Sequence, residues 1–206
     1  MVLHCRRRHE LLWLGDALTA LVCTGLRISE LASLRWTDVD VGRNFITLTD
    51  ESTRARRRTG PKARQTKSGR SRSFPIHAEL RRVLAGATRT ADLLVFHGPK
   101  GGRLKPDTVR QALVREVLTP LGGQFPTPPD QVGFADGRLH SFRHFFCSQC
   151  ASSGVPEQVV MAWLGHRDSA MVRHYFHLHD DEAQRQMGRL DFLGEAGGGV
   201  AVGGDP

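Results

Sequence analysis

Apolar residues recur at helical spacing along most of this 206-residue chain, and in only one stretch do they alternate as in a strand. That imbalance points to a mainly helical fold with a small sheet. Leu11, Leu12, Leu14, Leu18, Leu21 and Val22 mark a first helix, and Gly25 stands where it would end. Ile28 to Leu34 reads as a second, short helix. Between Asn44 and Thr49, Phe45, Thr47 and Thr49 alternate with Ile46 and Leu48, which predicts a strand. Ser68-Gly69 reads as a turn between two further short strands, the second ending at Pro75. Helices are predicted over His77 to Leu84 and Pro106 to Leu118, the latter with proline at an early helical position. Gly122 to Gly137 is dense in Gly, Pro and Asp and reads as a long surface loop. Three helices follow, over about 139–152, 156–164 and 169–176, and Ala183, Met187 and Leu190 place an apolar stripe on a final one. The last 13 residues hold six glycines and read as a flexible tail. The expected class is α+β, mainly α-helical with one small three-stranded antiparallel sheet.

Charge is distributed unevenly. Lys plus Arg number 29 against 21 Asp plus Glu, a net of +8. Between Ser52 and Ser73 lie nine basic residues and no acidic ones: Arg54, Arg56, Arg57, Arg58, Lys62, Arg64, Lys67, Arg70 and Arg72. Outside that tract 20 basic residues face 21 acidic ones, so the basicity is a local device suited to a polyanion such as nucleic acid. No apolar run approaches the roughly 18 residues that span a bilayer. The Arg- and His-rich N-terminus does not read as a secretory signal. Four cysteines are too few for a disulfide scaffold, and a reducing cytoplasmic setting is expected.

Three short segments carry chemistry. In Thr24-Gly25-Leu26-Arg27-Ile28-Ser29-Glu30, an arginine sits at a helix junction with a glutamate three positions on. Taken alone, a surface Arg–Glu pair explains it. In Leu139-His140-Ser141-Phe142-Arg143, a proton-transfer group and a planar five-donor fork share one helix face, which suits a phosphate oxyanion. In Trp163-Leu164-Gly165-His166, a histidine precedes by nine residues the chain's single tyrosine, Tyr175. Together with Lys67 beside the Ser68-Gly69 turn these supply two arginines, two histidines, a lysine and a tyrosine, the groups that phosphoryl transfer to a phenol needs. A zinc ladder from His140, His144, Cys147 and Cys150 is rejected, because one straight helix cannot wrap four ligands around a tetrahedral ion. No metal and no cofactor are expected.

The segments Thr24 to Asp40, Thr66 to His77, Leu139 to Phe146 and Trp163 to His177 together resemble the catalytic domain of the tyrosine recombinase (phage integrase) family. By that resemblance Arg27 and Arg143 match the two family arginines, and His140 the histidine of the H-x-x-R motif. Lys67 matches the hairpin lysine, His166 the His/Trp position, Tyr175 the nucleophile and Glu30 a supporting acid. Arg54, Arg56, Arg57, Arg58, Lys62, Arg64, Arg70 and Arg72 are expected to contact the DNA backbone. The implied activity is site-specific cutting and rejoining of double-stranded DNA through a 3′-phosphotyrosyl link, without metal or ATP. A topoisomerase of the same chemistry and a catalytically silent DNA-binding remnant are the alternatives; an intact six-residue site argues against the remnant. The catalytic domain is expected over 1–193, with a core of about 11–177, a C-terminal helix of about 181–193 and a tail of 194–206. The family's usual N-terminal core-binding domain is expected to be absent. A monomer alone, a tetrameric synapse on DNA in a full-length context, and a bacterial, nucleoid-associated location complete the expectations.

Overall fold

The structure is a computed structural model in which residues 1–51, 71–165 and Val172 are described. Helix α1 (Val2–Arg6) is followed by a single 3-10 turn, His9–Leu11, and then by α2 (Leu12–Thr24) and the one-turn α3 (Ile28–Leu31). Strands β1 (Val39–Asp40), β2 (Phe45–Leu48) and β3 (Arg72–Pro75) come next, then α4 (Ala78–Gly86) and α5 (Pro106–Leu113). α5 runs on through a wide π-type turn, Val114–Leu118, into Thr119–Leu121. Helices α6 (Ser141–Ser152) and α7 (Glu157–Leu164) close the described part.

Helix α2 is the centre of the packing because its sequence is apolar or small almost all round. Leu14, Ala17, Leu18, Ala20 and Leu21 are buried, and α1, α3, α4 and α6 pack against the helix. Its two buried threonines need no outside partner: Thr19 and Thr24 donate to the carbonyls of Gly15 and Ala20, at 2.8 and 2.6 Å. The packed core reaches further toward the N-terminus than Leu11. Cys5 of α1 is fully buried against Gly15, whose missing side chain admits it. No described helix is long and apolar enough to cross a membrane.

Among the described residues the sheet has the order β1-β2-β3, antiparallel throughout. β2 is the predicted strand, and its alternation is met: Ile46 and Leu48 are buried while Phe45 and Thr47 face out. β3 is the strand predicted to end at Pro75, with Ile46 opposite Phe74 and Leu48 opposite Arg72. The third strand differs from expectation. The strand expected before Ser68-Gly69 lies outside the described residues, and the third described strand is Val39–Asp40, two residues too short to show a period. The helices expected over 169–176 and at the C-terminus also lie outside, except for Val172, which is helical and buried. The stretch 122–137 is not a bare loop: it holds 3-10 turns at Gly122–Gln124 and Phe134–Asp136, and Phe125 stacks on Phe134 at 4.7 Å.

Gly25 is a hinge between fold and site. It caps α2 in the left-handed region, φ 60°, with its N–H donating to Leu21 at 3.0 Å. A Cβ there would lie 2.7 Å from Phe146 Cδ1 and 2.8 Å from Leu164 Cδ2. Gly25→Ala therefore meets both backbone strain and overpacking against α6 and α7. A loss of about 2–4 kcal/mol in unfolding free energy is expected, read from the urea midpoint at unchanged slope.

Candidate functional site

The starts of α3 and α6 and strand β3 each deliver an arginine to one place, Arg27, Arg143 and Arg72. Arg143 lies in the first turn of α6, where its own apolar neighbours Phe142 and Cys147 draw the helix into the core. The guanidinium goes in with them and is 1% exposed. It survives there by donating to the C-terminal ends of two other helices. Nη1 donates to the Gly25 carbonyl at 2.6 Å, just past α2, and Nη2 to the Leu164 carbonyl at 3.2 Å, the last residue of α7. Both carbonyls lie at the negative ends of their helix dipoles, which favours a cation. Nε has no acceptor. Burial, with the Arg27 cation nearby, pulls this guanidinium down to about 10, and it stays charged at neutral pH.

Arg27 is the extended residue that starts α3, φ −71° and ψ 148°. Glu30, three residues on, reaches back: its Oε2 accepts from the Arg27 backbone N–H at 2.9 Å, and its Oε1 lies 3.4 Å from Arg27 Nη1. The expected Arg–Glu pair is thus present but is not a surface pair, since the Glu30 side chain is only 7% exposed. Burial alone would raise its carboxyl. Arg72, the Arg27 N–H and the Arg27 cation outweigh that and hold it below the ordinary value.

Arg72 departs from the expectation of an exposed, phosphate-contacting cation. Its side chain is 4% exposed and its Nη2 lies 2.8 Å from Glu30 Oε2. The reason is the strand period: Phe74 points inward, so Arg72, two residues earlier, does too. That alternation was readable in Arg72-Ser73-Phe74, but nine cations in one tract masked it.

His140 stands at the N-cap of α6, exposed, with its carbonyl accepting from the Arg143 N–H at 3.0 Å. Its ring meets His144 edge-on at 5.0 Å. Cys147 and Cys150 belong instead to an apolar cluster with Val160, Leu164 and Val172, and burial pushes both thiols up, Cys150 to about 11. The structure therefore brings together Arg27, Glu30, Arg72 and Arg143, with His140 one turn from Arg143. Lys67, His166, Tyr175, Arg54, Arg56, Arg57, Arg58, Lys62, Arg64 and Arg70 lie outside the described residues. Among the described residues three guanidiniums face one carboxylate, an excess of two positive charges, with Glu30, Arg72 and Arg143 buried and Arg27 partly exposed. An excess of positive charge of this kind favours an anion.

The structure presents a cluster of three arginines and one glutamate on a mainly helical domain with a small antiparallel sheet. The sequence pattern of the phage integrase family matches residues 4–182, and the chain belongs to that family. It is 27% identical over 170 residues to the integrase of Salmonella phage P22, covering 82% of this chain and 40% of that protein. It is 32% identical over 159 residues to the tyrosine recombinase XerC of Azotobacter vinelandii, covering 75% and 44%. The chain thus spans less than half the length of these relatives. In fold it is similar to the Tn1549 transposon integrase in complex with a circular intermediate DNA, with a TM-score of 0.67 at 21% identity, over 92% of this chain and 62% of that one. The XerA recombinase aligns with a TM-score of 0.60 at 18% identity, over 93% and 62%. The fold is that of tyrosine recombinase catalytic domains.

Proposed function

We propose that this chain is the catalytic domain of a tyrosine-type site-specific DNA recombinase. The observation that carries the proposal is the excess of two positive charges that Arg27, Arg72 and Arg143 hold over Glu30 among the described residues, where the buried Arg143 Nε–H meets no acceptor. A phosphodiester brings one negative charge, and a second develops on it in the transition state.

Each group then has a task. Arg27 and Arg143 hold the scissile phosphate and lower its repulsion of the incoming oxygen. The Tyr175 phenol, with an ordinary pKa of about 10, is a poor nucleophile while neutral and gives up its proton with the help of His140. Its oxygen bonds to phosphorus as the bond from phosphorus to the 5′ oxygen breaks. Lys67 gives that leaving oxygen its proton, and His166 donates a further hydrogen bond to the phosphate. Glu30 supports Arg27. The resulting 3′-phosphotyrosyl link keeps the phosphodiester energy, so a second strand's 5′ hydroxyl reverses the step without ATP or metal.

The partner is double-stranded DNA, held largely by the 52–70 cations through counterion release. Pairing of two strands for exchange requires several subunits, and a tetrameric synapse in a full-length context, within a bacterial cytoplasm, fits that requirement. The topoisomerase and silent-remnant readings gain no support. The test is a library of nicked suicide duplexes with a randomised core, incubated with the protein and resolved on a denaturing gel. A covalent protein–DNA band with a common core sequence is expected. Absence of any adduct across the library overturns the proposal.

A further inference from the structure

A guanidinium on the inward face of a strand is expelled unless a counter-charge meets it. Arg72 meets Glu30 at 2.8 Å, and the two side chains are 4% and 7% exposed. The same carboxylate accepts the Arg27 N–H and faces the Arg27 guanidinium. On its other side Arg72 fills the space a side chain would need at Gly165. A Cβ there would lie 2.9 Å from Arg72 Cδ and 3.1 Å from its Nη1. Gly165 caps α7 in the left-handed region, φ 71°, and immediately precedes His166 in the chain. Its neighbour on the other side, Leu164, supplies the carbonyl that holds Arg143. One side chain thus touches both the acid that orients Arg27 and the turn that ends α7.

The contact is not built for stability. Arg72 Nη2 faces Glu30 Oε2 at 2.8 Å, within hydrogen-bonding reach, but Nε and Nη1 have no acceptor among the described residues, so part of the buried guanidinium is left unsatisfied. Buried pairs of this kind are often no more stable than apolar replacements of equal volume. Its geometry, bridging α3, β3 and α7, is what an apolar side chain cannot reproduce.

We propose that Arg72 is a positioning residue for strand cleavage: clamped between Glu30 and Gly165, it sets Arg27 and the α7 terminus in register, and it contacts no phosphate. The proposal rests on the recombinase reading. Its test uses the whole chain, a suicide duplex recovered from the library, and an arbitrary duplex for binding. Arg72→Met is expected to slow adduct formation at saturating DNA at least about tenfold, with apparent affinity within about twofold of wild type. Arg72→Lys, which keeps the charge, is expected to fall between. The salt slope of binding is expected to be unchanged in both, whereas Arg56, Arg57 and Arg58 replaced by Ala should each remove up to roughly 0.9 from it.

If Arg72→Met is unfolded at the assay temperature, Arg72→Lys alone decides. A purely structural role moves the melting point but not the saturating rate of protein that remains folded. Wild-type cleavage by Arg72→Lys, or a salt slope reduced together with affinity, overturns the assignment. No adduct from the wild type overturns the recombinase reading instead. Binding to the arbitrary duplex and the exchange rate of the Arg143 Nε–H then decide the placement. Faster exchange in Arg72→Lys with an unchanged slope supports it, and a reduced slope overturns it.

Discussion

Tyr175→Phe is expected to bind DNA as the wild type does and to form no covalent adduct. The chain has one tyrosine, so no second phenol stands in for the lost one. The substitution removes a single oxygen and keeps the aromatic ring, so folding should be retained. Every other group in the proposed site acts on rate, and its removal leaves some residual cleavage. Removal of the nucleophile leaves no bond to form. The measurement is the suicide-duplex gel, with a filter-binding curve beside it at the same salt. A persistent adduct in Tyr175→Phe means that another side chain attacks phosphorus. Loss of binding along with the adduct would make the variant uninformative about chemistry, and the melting curve separates that case.

The helices were legible where the sequence carries both period and punctuation. Leu11 to Val22 followed by Gly25 predicts α2 to within a residue or two, because an apolar stripe and a left-handed cap agree. The same holds for α4, where His77 accepts the Glu79 N–H at the N-cap, and for α7 after Pro156. Val2–Arg6 was not legible: five residues are too few for a period, and two of them, His4 and Arg6, are imidazole or cationic side chains. β1 was invisible for the same reason of length.

In the site, Arg27, Glu30, His140 and Arg143 were legible as residues, but their burial was not. Arg143 looks like a solvated helical arginine until Gly25 and Leu164, 118 and 21 residues away along the chain, present their carbonyls to it. Helix-end carbonyls are backbone groups, and no side-chain motif announces them. Arg72 shows the converse failure. Its inward direction was written in the alternation with Phe74, but its partner Glu30 lies 42 residues earlier, and composition counted it with the surface cations.

Arg143→Lys is expected to damage both the chemistry and the fold, and by separable amounts. The guanidinium reaches two carbonyls that face it from different helices, at 2.6 and 3.2 Å, and still has N–H donors left for a phosphate. An ammonium is a point charge on a flexible stem. It can satisfy the Gly25 or the Leu164 carbonyl, and leaves the other buried without a donor at a cost of about 1–3 kcal/mol. Burial adds a second penalty, since the compact ammonium is more strongly hydrated than a guanidinium and gives up more on desolvation. The fork that grips two phosphate oxygens is also lost. Adduct formation at saturating DNA should therefore fall at least roughly tenfold, about 1.4 kcal/mol of transition-state stabilisation. Urea unfolding reports the first loss and single-turnover cleavage the second. Cleavage at the wild-type rate in a folded Arg143→Lys protein would remove Arg143 from the phosphate. A lowered rate with unchanged unfolding would instead mean that the two helix-end carbonyls are not what holds this side chain in place.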